Sequence, residues 1–190
     1  MKEKIRQREK IIAIITNKKG GKKRMEVKSK EYNIFGIVRD KLGKIKQIVN
    51  ASNLVTNDGD EYFAERGAGE TPTVTFINCV LGTGSIAAAK IDDYDDVTPI
   101  TGSNSAPEAT YPMSNDQDAD NTGKAVDSVT WKYYWTGADF NNAAIREGCI
   151  TIASPIAGSK VLTRWVWVAA FEKTATDTLT LYVNENMLGV

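Results

Sequence analysis

The run Val161-Leu-Thr-Arg-Trp-Val-Trp-Val-Ala-Ala-Phe171, followed by Glu-Lys-Thr-Ala-Thr-Asp and then Thr178-Leu-Thr-Leu-Tyr-Val-Asn184, decides the fold class. Both outer runs are β-branched and aromatic, and the middle is polar, which is the pattern of two strands joined by a moderate loop. The expectation is a β-hairpin. Successive strand side chains point to opposite faces. In the first run Val161, Thr163, Trp165, Trp167, Ala169 and Phe171 therefore share one face. Leu162, Arg164, Val166, Val168 and Ala170 share the other. A strand apolar on both faces needs cover on both sides, so the rest of the chain must supply a second layer.

Working outward, the same pattern recurs. Ile34-Phe-Gly-Ile-Val38 and Ile45-Lys-Gln-Ile-Val49 flank the turn formers Asp40 to Lys44, which predicts a second hairpin. Asn53 to Thr56 is extended. Asp60 to Arg66 reads as a short helix, with Asn57 or Asp58 as its cap and Gly67 at its end. Thr73 to Leu81 reads as one continuous strand stopped by Gly82-Thr-Gly84. Residues 90–125 hold little apolar material and many aspartates, so they read as an excursion that is functional or ordered by a partner. Ser128 to Thr136 alternates, with Val129, Trp131, Tyr133 and Trp135 on one face. One or two helical turns are expected in 139–147, and a strand over Cys149 to Ala153. Seven or eight short strands with turn signals between them predict an all-β protein, a β-sandwich of jelly-roll-like or Ig-like form.

The length of 190 residues suits one compact domain plus an extension. The net charge of zero conceals an asymmetry: residues 1–50 carry 16 Lys/Arg against 5 Asp/Glu, and residues 51–190 carry 8 against 19. The division expected is a basic N-terminal arm, residues 1–30, on a body of residues 31–190. Within the arm, Ile11, Ile12, Ile14 and Ile15 form an apolar run with no home in its own surroundings, which marks a docking segment. Lys18, Lys19, Lys22, Lys23 and Arg24 flank a Gly20-Gly21 hinge and supply charge contacts. Such an arm meets nucleic acid, a membrane surface or an acidic protein, or the body of a sister subunit.

No segment is long and apolar enough to span a membrane, and Ile11 to Ile15 is too short for the core of a signal peptide. The expectation is synthesis in a cytosol without export. Cys79 and Cys149 both lie in apolar runs, which predicts two buried free thiols. The absence of histidine removes Ser-His-Asp and Cys-His catalysis and ordinary His-containing zinc sites. Gly82-Thr-Gly-Ser-Ile-Ala87 matches a dinucleotide loop only superficially, because no helix and second parallel strand follow; a glycine turn is expected. Asp116, Asp118, Asp120 and Asp127 have calcium-loop spacing, but Asn121 stands where the loop needs glycine and a bidentate Glu is missing. They make a weak metal candidate, and no cofactor is expected. The aromatic stripe 129–135 could stack on sugars or be core.

The order of the pieces carries a resemblance. Asp40-Lys-Leu-Gly43 is followed by Asn53-Leu-Val-Thr-Asn-Asp-Gly59 and Tyr62-Phe-Ala-Glu-Arg66. Then come an apolar strand ending Leu81-Gly-Thr-Gly84, an acidic stretch and an aromatic strand running on to Phe140. Ile145-Arg-Glu-Gly148, Leu162-Thr-Arg164 and Lys173 to Leu181 close the series. In this order, from about Phe35 to Leu188, the chain resembles small β-sandwich virion proteins of tailed bacteriophages, among them capsid decoration (cement) proteins and tail- or fibre-associated proteins. The basic arm lies outside the resemblance, and the acidic stretch is longer than the group leads one to expect. The resemblance implies a non-enzymatic structural protein of the virion, assembled in the host cytoplasm. Its partner would be the major capsid protein or another virion protein, and it would form a homo-oligomer. A second reading is a tail-fibre or baseplate protein contacting host glycan. A third is nucleic-acid binding through the arm.

Overall fold

The computed structural model describes residues 11–16, 22–27, 33–114 and 128–186. Its strands are β1 (Ile11–Thr16), β2 (Lys22–Val27), β3 (Ile34–Arg39), β4 (Ile45–Ala51) and β5 (Asn53–Val55). After them come β6 (Asn78–Gly82), β7 (Met113–Ser114), β8 (Ser128–Trp135), β9 (Asn142–Thr151), β10 (Val161–Lys173) and β11 (Thr178–Asn186). The helix α1 (Asn57–Gly67) follows β5, and a single 3-10 turn spans Tyr94–Asp96. Two antiparallel sheets form the body: β4-β3-β11-β8-β7, and β5-β10-β9-β6. They face each other across one core, to which Ile34, Val38, Trp131, Tyr133, Leu179 and Leu181 come from the first sheet. Cys79, Leu81, Ile150, Trp165, Trp167 and Phe171 come from the second. The body is a β-sandwich.

The alternation expected for β8 holds: Trp131, Tyr133 and Trp135 are buried, and Val129 packs partly buried against them. Trp165 lies across the strand partner Gly148, where a Cβ would stand 2.4 Å from its ring. Only glycine leaves that ring room to lie over the neighbouring strand. The thiols of Cys79 and Cys149 are free and buried.

Several expectations change. The closing strands do not pair with each other: β10 pairs with β9 and β5, while β11 pairs with β3 and β8. The connection is an arch between sheets. Asp177 holds it, accepting from Thr174 N at 2.9 Å, Thr174 Oγ1 at 2.7 Å and Lys46 Nζ at 2.6 Å. The simple two-face reading of β10 also fails at its ends. Bulges between Val161 and Thr163 and between Val166 and Phe171 reset the register. Leu162 thereby joins the inner core, and Val168 is 94% exposed.

The run from Thr73 enters the sheet only at Asn78. Its earlier half packs on α1 instead, with Phe76 edge-on to Tyr62 at 5.4 Å. The helical turns expected in 139–147 give way to β9 from Asn142 onward, whose partners across β10 extend to Lys173. Thr56, not Asn57 or Asp58, caps α1, its hydroxyl accepting from Gly59 N at 3.1 Å. Residues 90–114 are ordered by the chain itself. Their first part lies on the outer face of the second sheet, Pro99 and Ser105 bridge to its edge strand β6 at Gly82 and Cys79, and Met113–Ser114 pairs with β8 in the first sheet. Val97 and Tyr94 there pack on Val80, Cys149 and Val161.

Candidate functional site

The N-terminal candidates come together in one place. β1 and β2 form an antiparallel ribbon with no strand of the sandwich in its sheet. Its register sets Ile11 opposite Val27, Ile12 opposite Glu26, Ile14 opposite Arg24, Ile15 opposite Lys23 and Thr16 opposite Lys22. The apolar run and the charges of Lys22, Lys23 and Arg24, far apart in a linear reading, thus become cross-strand neighbours. A two-stranded ribbon is marginal in water by itself; β1 comes near β4 of the first sheet without joining it. Lys18 and Lys19 lie outside the described residues, as do the metal candidates Asp116, Asp118, Asp120 and Asp127. Among the described residues no group of three or more metal-ligating side chains occurs.

The aromatic stripe is core. Trp131 and Trp135 are 2% and 1% exposed, and Trp135 Nε1 donates to Ser103 O at 2.8 Å. A sugar platform needs open ring faces, so this stripe offers none. Tyr134, on the opposite face of β8, is exposed.

The Gly82-Thr-Gly84 turn serves a buried carboxylate. Glu147 Oε1 accepts from Gly84 N and Thr98 N, both at 2.7 Å, and Oε2 accepts from Arg164 Nη2 at 2.8 Å and Nε at 3.2 Å. Arg164 Nη1 reaches Asp92 Oδ2 at 2.7 Å, and its Nη2 also donates to Ile86 O at 3.1 Å. A Cβ on Gly84 would come within 2.3 Å of the Glu147 carboxylate. These glycines make room for a carboxylate of the chain rather than for a phosphate. Burial opposes the charge on Arg164, but the hydrogen bonds to Glu147 and Asp92 outweigh it and raise its pKa. With one cation between two carboxylates and their oxygens hydrogen-bonded, the group staples the 83–98 cover to the sheet. The linear reading missed this set. Its signals were a lone Arg in the apolar run 161–171 and a lone Glu between Ile145 and Ile150.

Three other buried polar groups stand out. Lys173 Nζ donates to Phe140 O at 2.6 Å and lies 4.7 Å from the Phe140 ring centroid; burial lowers its pKa. Burial also pushes the Cys149 thiol up to about 12, so it is no nucleophile at neutral pH. Glu185, near the end of β11, is 2% exposed and accepts from Asn53 Nδ2 across the sandwich. Burial raises its pKa to about 8.

These features define the class as an antiparallel β-sandwich with a basic ribbon at its N-terminal side. In comparisons with known proteins the chain matches no family model, no curated protein and no solved structure.

Proposed function

We propose that the chain is a non-enzymatic structural protein of a bacteriophage virion, a capsid decoration protein whose N-terminal segment anchors a rigid sandwich to the shell. The observation that carries this reading is the ribbon. It pairs the isoleucines 11, 12, 14 and 15 with a strand bearing Lys22, Lys23 and Arg24, outside both sheets of the body. A surface that is acidic around an apolar groove would satisfy both halves at once, and opposite charge would speed the encounter.

The strand order supports a jelly-roll-like form of the sandwich. β3 pairs with β11 in one sheet while β5 pairs with β10 in the other, so two chain-terminal pairs of strands lie side by side across both layers. In the usual jelly roll two further edge strands follow the middle pair in the chain. Here the edge positions are filled by β6 and β7, which precede β8 and β9. Double-sheet jelly rolls recur in viral capsid domains and in lectins, so the fold is compatible with a virion part without dictating one. The buried Trp131 and Trp135 weigh against the alternative of a tail protein reading glycan through that stripe.

The test is co-sedimentation of the protein with empty, DNA-free phage capsids at low and moderate salt. The reading expects saturable binding that disappears when residues 1–30 are deleted. Binding indifferent to that deletion overturns the anchor. No binding to capsids transfers the protein to the tail, with glycan binding as the next assay.

A further inference from the structure

A segment that joins isoleucines to lysines fits an apolar surface with acid around it, and the body carries such a surface. It lies on the outside of the second sheet, between β6 and the turn at Tyr94. There Ile86 is 79% exposed and Ile91 82%, and Ala87 and Ala89 between them are exposed as well. Single exposed apolar side chains are ordinary; a loop whose apolar residues nearly all face water is not. Ile156, 74% exposed, stands in the turn beside it: Tyr94 N donates to Ser159 O at 3.0 Å, and Ser159 N to Ile156 O at 3.0 Å.

The loop is exposed but not loose. Arg164 Nη2 donates to Ile86 O at 3.1 Å and Nη1 to Asp92 Oδ2 at 2.7 Å, so one guanidinium holds both ends of the run 86–92. Asp92 Oδ2 also accepts from Ala89 N at 2.8 Å, and Asn57 N donates to Lys90 O at 2.7 Å, which ties the loop to the start of α1. A buried ion set of this kind is a weak source of stability compared with apolar residues of equal volume. What it supplies here is shape: the isoleucines are in place before any partner arrives, and binding loses little entropy in ordering them. Acid borders the loop. Asp93, Asp95 and Asp96 follow Ile91, and among the described residues no cation pairs with them. Lys90, the cation within the loop, is paired with Asp60 at 2.6 Å. Positive charge is concentrated at the other end of the chain, 16 Lys/Arg against 5 Asp/Glu in residues 1–50. In its own chain β1 comes near β4, at the edge of the first sheet, and the loop on the second sheet stays open.

We propose that the loop 86–91 is the docking site for the N-terminal segment of a second copy of this chain, with Ile86 and Ile91 against the isoleucines 11, 12, 14 and 15 and the aspartates 93, 95 and 96 beside Lys22, Lys23 and Arg24. The surface offered and the surface bound are different, so the contact is head-to-tail and repeats from copy to copy as a closed ring or a growing row. The proposal stands on the loop and on the composition of the arm, and does not rest on the anchoring reading.

The experiment is sedimentation velocity of the full chain over a concentration series, at low and moderate salt. The wild type is expected to associate as concentration rises, and less so as salt is added. A loop variant, Ile86→Ser with Ile91→Ser, changes two side chains that already face water, so the fold is kept; it is expected to raise the dissociation constant about tenfold for each isoleucine. Leu42→Ser, at a position 71% exposed in the turn between β3 and β4, leaves it unchanged. A head-to-tail contact makes a sharper demand. An arm variant, the full chain with Lys22→Glu, Lys23→Glu and Arg24→Glu, keeps its loop but lacks a working arm, and the loop variant keeps its arm. At a concentration where the wild type is associated, each variant alone is monomeric, and their mixture forms a 1:1 dimer and nothing larger. A wild type that stays monomeric at its highest soluble concentration overturns the proposal, as does association that the loop variant leaves intact, or a mixture that forms no dimer. A monomeric wild type whose loop variant loses capsid binding assigns the loop to the shell instead. Self-association is read without capsids, so failure here is distinct from failure of the anchoring reading.

Discussion

Arg164 sits at the middle of a strand, 1% exposed, and owes its place to two carboxylates that approach from different segments. Removing one member of such a buried set leaves the others charged and unpaired, which costs about 3–5 kcal/mol. Arg164→Ala is expected to lose that much in urea denaturation, while the exposed Arg66→Ala changes stability little. Gly148→Ala is a different kind of injury, because its Cβ would meet the Trp165 ring at 2.4 Å. Overpacking of this sort costs about 1–3 kcal/mol, and a lowered urea midpoint with an unchanged slope is the expected result. The aromatic and β-branched core residues were legible because a strand's period of two states which side each residue takes. Partners were not legible: nothing in the spacing of Asp92, Glu147 and Arg164 says that they meet, since their neighbourhood is made by a loop folding back over the sheet.

Among the elements, α1 and the arch between β10 and β11 show what a linear pattern can and cannot say. The helix was legible from its composition, but its cap was not, because Thr56 also bonds to β10, its hydroxyl donating to Val161 O. Gly59 lies against Leu162 O, where a Cβ would come within 2.1 Å of that backbone oxygen. Gly59→Ala is therefore expected to push α1 off the sheet, measured as lost near-ultraviolet ellipticity from Tyr62 and faster proteolysis around 57–67. The arch is harder to foresee. Two consecutive apolar strands separated by the mostly polar run Glu172 to Asp177 fit a hairpin and an arch equally well, and register within each strand does not choose the partner. What chooses here is Asp177, buried in the connection. Burial opposes its charge, yet the bonds from Lys46 and Thr174 outweigh that and lower its pKa. Its contribution is thus present above the ordinary carboxylate range and is lost as pH falls through the lowered folded value. Asp177→Asn should flatten the acid limb of the stability profile, read as the urea midpoint between pH 5 and 2.

On the scale of the whole molecule, charge is distributed as two opposed halves, 16 basic against 5 acidic residues in 1–50 and 8 against 19 in 51–190. That division was legible from the sequence, because charge needs no contact map. The ribbon was not, because Ile11 to Ile15 could pair with anything until the register with β2 placed Lys23 and Arg24 beside it. The ribbon shares no sheet with the sandwich and approaches it only where β1 comes near β4, so deletion of 1–30 should shift the thermal midpoint of the body little. The same deletion should abolish capsid binding, which separates an anchor from a structural strand. If charge steers the encounter, Lys22→Glu, Lys23→Glu and Arg24→Glu together should slow association with capsids more than they speed dissociation, and the wild-type on-rate should fall with added salt as the Debye length shrinks. An association rate untouched by both changes would leave the isoleucines as the whole of the anchor. In that event substituting Ile12 and Ile14 with Ser should abolish binding through the off-rate instead.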